Sequence, residues 1–355
     1  MSRSRIDSNL ERIYTAAKLE KPDQVPVDFF TEGDCIAPFI GLREREYYFD
    51  PQKMLNAQLL FIKRFCRKHH VFNVVPLPRP DYSVIVEITA LGGKARWSED
   101  ATPFTIPVIK KLEDIEKLEV PDCTRDGLMP FVLETIRYMQ EKVGKDYVIG
   151  PPIQRGIPTF AGQVRGINEF LVDLRVNPSL AHKLLKICLE TEIEWCKVLQ
   201  DRLGENFWVL CCDDVAGFFS LRMFEEFALP YNKRLFDLFK HPLNLYHNDA
   251  DTQQLLDGIS KLGAKIFHMG PPETCDLAVA KQKIGNKVCL MGNVAPFDVL
   301  RQKTPKEVEI ACKECFEKAA AGGGYILSSG GVLNRGTPPK NIDTMIASAE
   351  KYGKY

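Results

Sequence analysis

Eight short apolar runs, most of them closed by Gly, Pro, Asp or Asn, constrain this chain more than any other feature. They are Val25–Phe30, Phe72–Val75, Tyr147–Gly150, Phe207–Cys212, Leu243–His247, Lys265–His268, Lys287–Met291 and Gly324–Ser328. None shows the polar alternation of a sheet wetted on one face, so each reads as a strand buried on both sides, as in a parallel sheet. Helical stretches lie between them, with recognisable punctuation. Asp50-Pro51, Asn177-Pro178, Thr304-Pro305 and Thr337-Pro338 place a capping side chain before a proline suited to the first turn. Thr304-Pro-Lys-Glu307 fits a capping box, and Gly204, Gly263 and Gly285 stand where helices should stop.

Eight strands alternating with helices are the count of a (β/α)8 barrel, so residues 1–355 are expected to form a single α/β barrel domain with an N-terminal helical extension. Residues 76–125 are the loose part. Ile85–Thr89, Lys94–Trp97 and several prolines suggest an insertion after the second strand, a hairpin that lids one end, with Tyr82, Trp97 and Phe104 free for apolar contact. A doubly wound open sheet is the competing layout. The chain has neither a G-x-G-x-x-G after a strand nor a G-x-x-x-x-G-K-[ST], so dinucleotide and P-loop phosphate binding have no foothold.

Composition removes further classes. Lys+Arg and Asp+Glu both total 47, a balance that argues against a coat for nucleic acid. No apolar run approaches the roughly 20 residues of a membrane span, and Met1-Ser-Arg-Ser-Arg-Ile-Asp7 is not followed by a secretory apolar stretch. Eleven cysteines without framework spacing fit a reducing cytoplasm. Cys312-Lys-Glu-Cys315 lies mid-helix, where a thiolate gains nothing from helix amides, and reads as core.

In a barrel, chemistry belongs at the carboxyl ends of the strands. His247 and Asp249 are two apart, so on extended backbone both point into the mouth; together they suit a divalent metal or a His–Asp acid–base pair, with His268 on the next strand as a third ligand. The alternative is that the histidine caps a loop carbonyl and the aspartate caps a helix. Asp213 and Asp214 are adjacent and face opposite ways, so one of them is expected to look into the pocket as a catalytic carboxylate. Tyr246, Asn248 and Asn293 are candidate substrate-binding groups at the same strand ends.

The C-terminal half resembles the uroporphyrinogen decarboxylase superfamily. The likeness is carried by Leu221-Arg-Met-Phe-Glu-Glu-Phe-Ala-Leu-Pro230, Leu245-Tyr-His-Asn-Asp249, Met291-Gly-Asn-Val294, Thr304-Pro-Lys-Glu-Val308, Gly322-Gly-Gly-Tyr-Ile-Leu-Ser-Ser-Gly-Gly331 and Thr337-Pro-Pro-Lys-Asn-Ile342. It implies a (β/α)8 barrel and one of two chemistries. Tetrapyrrole decarboxylases of the superfamily grip acidic side chains with an N-terminal arginine cluster. Here the first loop reads Thr31-Glu-Gly-Asp34, an acidic and poor clamp for such a substrate. The other branch holds corrinoid-dependent methyltransferases, which exchange a methyl group with a cobalamin on a partner corrinoid protein. Its thiol-acting members bind zinc through His-x-Cys at the end of strand five and a further Cys after strand eight. This chain keeps His247 but has Asp249 and Ser328-Ser-Gly-Gly331 at those places. A harder N/O set favours polarising an oxygen over activating a thiol. The expectation is therefore an O-demethylating methyltransferase, taking a methyl group from a methoxylated, aromatic donor to Co(I), with zinc as the candidate metal. A metal-free decarboxylase-like lyase and a non-catalytic binding partner are the rival readings.

Overall fold

The computed structural model describes residues 3–68 and 77–355, with side chains from Leu10 to Phe65 and from Leu77 onward. Six parallel strands follow one another in sequence order: β3 (Gln154–Arg155), β4 (Leu210–Cys212), β5 (Leu245–Asn248), β6 (Ile266–Met269), β7 (Cys289–Val294) and β8 (Tyr325–Ser329). The first apolar run joins β8 through a parallel bridge, Val27 to Leu327, with Asp28 N donating to the Leu327 carbonyl at 3.0 Å. The order thus runs from β3 through β8 and on to Val25–Phe30, that of a (β/α)8 barrel. The expected second strand, Phe72–Val75, lies outside the described residues.

The third strand sits later than the sequence suggests. Tyr147–Gly150 is not part of the sheet; pairing begins at Gln154, opposite Cys211. Pro151 and Pro152 carry no N–H and cannot extend a ladder, so the strand starts beyond them. The Gln154 side chain then supplies a missing acceptor, taking a hydrogen bond from Leu210 N at 2.7 Å.

Side-chain parity divides the strands between two interiors. Leu245, Ile266, Met291 and Ile326 face inward, and Ile13, Ala16 and Ala17 from the helix α1 (Arg3–Ala17) pack on them. The N-terminal extension therefore closes the floor of the barrel. Tyr246, Phe267, Leu290, Tyr325 and Leu327 face outward into the large cluster shared with the surrounding helices. All ten cysteines with described side chains are buried and unbonded; Cys312 and Cys315 belong to this helical layer. Burial raises the pKa of both thiols. The Thr304 capping box forms, and Asp50 Oδ1 accepts from Gln52 N and Lys53 N.

The insertion contains the antiparallel hairpin β1 (Lys94–Arg96) and β2 (Phe104–Ile106). Ile85–Thr89 is no strand: Val86–Ala90 is a short helix. Of the three aromatics expected to be free, Phe104 is exposed, Trp97 packs edge-on against Phe49 with centroids 4.5 Å apart, and Tyr82 is buried with its hydroxyl 2.7 Å from Thr135 Oγ1. The hairpin tip is tied down electrostatically. Glu99 meets Arg43 and Arg45 at 2.9 and 3.3 Å, and Arg335 in the loop after β8 donates to the Asp100 carbonyl at 2.7 Å and to Glu44 at 3.2 Å. No described helix is long and apolar enough to cross a membrane.

If α1 is the floor rather than an appendage, Ile13→Ala costs about 2–4 kcal/mol, the range for emptying a buried aliphatic site. Urea unfolding measures it, and a loss below about 0.5 kcal/mol, the scale of surface substitutions, would show that α1 does not seal the barrel.

Candidate active site

β5 and β6 lie in register, so His247 and His268 are direct cross-strand neighbours on the inward face. Their Nδ1 atoms are 2.9 Å apart, and His268 Nε2 lies 2.8 Å from the Ser329 carbonyl oxygen. A carbonyl can only accept, so His268 carries its proton on Nε2. Burial, together with the neighbouring His247, lowers the His268 pKa to about 3, so the ring is neutral and its Nδ1 is a lone pair. His247 must then donate from Nδ1, so Nε2 is the ring atom it turns to the mouth. Phe30, at the end of the first strand, stacks on His247 with centroids 4.8 Å apart and an interplanar angle of 19°.

His247 Nε2 faces two carboxylates. Asp214 Oδ1 is 3.8 Å away and Asp249 Oδ2 is 3.9 Å away, both half-exposed at the mouth, while His247 is buried. One donor atom from each of the three residues lies within 4.8 Å of the others. Asp249 is held where it is by close packing. Gly331, at φ +106°, passes so near that a Cβ there would stand 2.7 Å from Asp249 Oδ2. Burial is the main influence raising the Asp249 pKa, with the Asp214 charge adding to it and His247 opposing it.

The other expected site residues are placed differently. Asp213 points away from the mouth and is fully buried. Its carboxylate accepts from Thr159 N and Oγ1 (3.0 and 2.9 Å), Asn232 Nδ2 (2.7 Å) and the Tyr246 hydroxyl (3.2 Å). It pins β4 and β5 to the helices Ile157–Arg165 and Leu229–Leu238 and is no catalytic carboxylate of the pocket; burial lifts its pKa to about 6. Tyr246 is spent on that network. Asn248 is buried, giving its amide to the Asp213 carbonyl and taking the Ala250 N–H. Asn293 donates to the Gly270 and Cys275 carbonyls, fixing the loop after β6. These three amide and phenol groups brace loops and strand ends. His268 has both ring nitrogens engaged, one with His247 and one with the Ser329 carbonyl, and the group that stands with His247 and Asp249 is Asp214.

The mouth also holds groups that sequence reasoning did not single out. Arg155, at the end of β3, is buried, and its Nε has no hydrogen-bond partner. Glu87, Asp214 and Glu32 lie close enough to act on its charge. Arg79 sits over the Phe30 ring at 5.5 Å and donates to the Thr31 carbonyl at 2.8 Å. Burial and the Asp81 charge raise Glu32 to about 8, with Arg79 opposing, so it keeps its proton at neutral pH. The strand-end rule would have reached Glu32; Arg155 was lost because the third strand was set several residues too early.

The comparisons agree with this geometry at the level of the family. The chain matches the uroporphyrinogen decarboxylase (URO-D) family over residues 8–352. It belongs to that family. Among similar URO-D relatives is a methylcobamide:CoM methyltransferase, MtbA, of Methanosarcina acetivorans, 24% identical over 96% of this chain and 97% of its own. A methylated-thiol–coenzyme M methyltransferase of Methanosarcina mazei is 24% identical over 77% of this chain and 72% of its own length. A uroporphyrinogen decarboxylase of Pseudoalteromonas atlantica is 22% identical over 89% and 93%. A solved methyltransferase from Methanosarcina mazei superposes with a TM-score of 0.81 at 21% identity, covering 96% of this chain and 98% of that one, and so shares the fold.

Removing the Asp213 carboxylate strands several buried donors, so Asp213→Ala should destabilise the protein by about 2–4 kcal/mol. Urea unfolding reads the loss. A destabilisation below about 0.5 kcal/mol, within the range of surface substitutions, would return Asp213 to the list of catalytic candidates.

Proposed function

We propose that this protein is a corrinoid-dependent methyltransferase that takes a methyl group from a methoxylated aromatic donor and delivers it to the corrinoid of a partner protein. The observation that carries the reading is the open Nε2 of His247 facing Asp214 and Asp249 at the barrel mouth. Most of the similar proteins named as methyltransferases act on coenzyme M or methylated thiols, and the donor set here differs in kind from a thiolate site. The nearest inward cysteine, Cys212, is buried, and burial holds its thiol far above the usual pKa. One imidazole and two carboxylates form a set that a zinc-class divalent cation fits, with room left for an oxygen of the donor.

Asp214, His247 and Asp249 would hold that cation, and His268 would keep the His247 lone pair turned toward it. When bound, the cation supplies Lewis acidity toward the ether oxygen, and the corrinoid supplies the nucleophile. The residues of the chain do the rest. Phe30 walls the base of the site and shields His247 from water. Glu32, with a retained proton, is the mouth carboxyl able to protonate a departing phenolate. Arg79 and Arg155 stand among Glu32, Asp34, Asp81, Glu87 and Asp214, so the mouth is acid-rich on balance, which disfavours an octa-anionic tetrapyrrole. The hairpin β1–β2, latched through Glu99 and Asp100, is the lid over this mouth.

The decisive assay mixes the purified protein with cob(I)alamin and methoxybenzoates and follows methylcobalamin by absorbance. The expected outcome is methylation with wild type and a fall of roughly 100-fold or more with His247→Ala, in keeping with loss of a group that stabilises transition-state charge. Demethylation of methylcobalamin by thiols, with ethers inert, would move the protein to the thiol branch. Inertness toward every donor would leave only a binding role.

Cation affinity should also be pH-dependent in a defined direction. The carboxylates must be ionised to bind, and Asp249 is raised above the ordinary range by burial. Affinity is therefore full above that raised pKa and falls as pH drops through it, at a higher pH than an ordinary aspartate site would show. Zinc titrations at a series of pH values from neutral downward test this, and His268→Phe should weaken binding about 10–100-fold. A pH-independent affinity, or one indifferent to His268, would remove the proposed ligand set.

A further inference from the structure

A second concave surface lies at the opposite end of the barrel. It is a cleft of about 430 Å³ lined by Ala17, Lys18, Leu19, Lys240, His241, Pro242, Lys265 and Lys287. Four lysines therefore line one hollow, with no carboxylate residue in its wall, on a chain whose charges balance at 47 against 47. All four lysines are exposed, and among the described residues none has a carboxylate oxygen within 4.0 Å. Lysines elsewhere on the surface do find such partners, among them Lys53 with Glu46, Lys261 with Glu225 and Lys351 with Glu309.

The arrangement follows from the fold. Lys240, Lys265 and Lys287 each stand shortly before β5, β6 and β7, and Cys289 N donates to the Lys265 carbonyl as the strands begin. Neighbouring strands are about 4.8 Å apart, so the segments that carry these lysines enter the sheet side by side. Lys18 closes the set from the end of α1. His241 forms a firm wall: its Nδ1 accepts from Leu243 N at 3.1 Å, and its ring lies against Trp208 and Tyr14. Cations near helix carboxyl ends also offset the helix dipole, and α1, the helix Leu229–Leu238 and the helix Leu277–Ile284 all end nearby. Each end carries roughly half a negative charge, so three ends cancel about one and a half of four positive charges. An excess of more than two remains.

We propose that this cleft binds a small polyanion of the di- or triphosphate class, at a site separate from the His247 centre. The volume is in the range of small-molecule sites, about 300–1,000 Å³. Ammonium groups bind phosphate oxygens as point charges without demanding one geometry, and four lysines on one hollow supply more positive charge than a single phosphate group can use. A single orthophosphate could engage only part of the set, so chain length should govern affinity.

Isothermal titration of the full-length protein with inorganic tripolyphosphate at low ionic strength tests the proposal. Saturable binding is expected, at least tenfold tighter than orthophosphate, and weakening as salt rises in keeping with charge screening. Lys265→Glu/Lys287→Glu should raise the dissociation constant at least tenfold. The control Lys197→Glu/Lys313→Glu, which reverses two charges on helices away from the cleft, should leave it unchanged. Absence of saturable heat at millimolar tripolyphosphate, or equal weakening by both double variants, overturns the assignment. Because the readout is binding and not methyl transfer, the result is independent of the activity proposed for the mouth.

Discussion

The carbonyl oxygen of Ser329 decides what His247 can do. It accepts from His268, which obliges His268 to accept from His247, so the far nitrogen of His247 is the one turned to the mouth. The chain crosses from β8 to β6 to β5, so the chemistry of one imidazole depends on three strands holding their spacing. Parallel packing makes that possible: β5 to β8 each have a neighbour on either side, and the inward layer beneath the histidines is aliphatic and lines a cavity that α1 borders. A histidine on a loop would have no such enforcement.

The same parity that builds the site also explains what surrounds it. Along β5, His247 turns inward while Tyr246 and Asn248 turn outward, and at the end of β4 the pair Asp213 and Asp214 divides likewise. Outward groups become braces between sheet and helices; inward ones face the mouth. Asp213 and Asp214, identical in chemistry, thus differ entirely in duty. One takes several hydrogen bonds in a dry interior, and the other stands half in water opposite an imidazole.

Much of this was legible in the sequence. The punctuated apolar runs give the alternating architecture, and the strand-end rule leads to His247, Asp249 and one of the paired aspartates. Parity, applied consistently, would also have sent Tyr246 and Asn248 outward. Other features needed three dimensions. The two prolines after Gly150 displaced the third strand, and with it went Arg155. That His268 would spend both nitrogens on neighbours is invisible from spacing, because the Ser329 carbonyl is remote in sequence and near only through strand order. The insertion is legible as a hairpin but not as one fastened at its tip by Arg335, a residue that follows the last strand.

The helix lying across the barrel floor has a consequence for traffic. A tube stoppered at one end opens at the other, so on the function proposed above a small reactant and a macromolecular acceptor would come to the same opening. They would then queue: the small molecule would settle first, the larger body would cover the opening, and what is spent would leave once that body lifts away. Sequential order of arrival and release is in that sense written into the placement of α1.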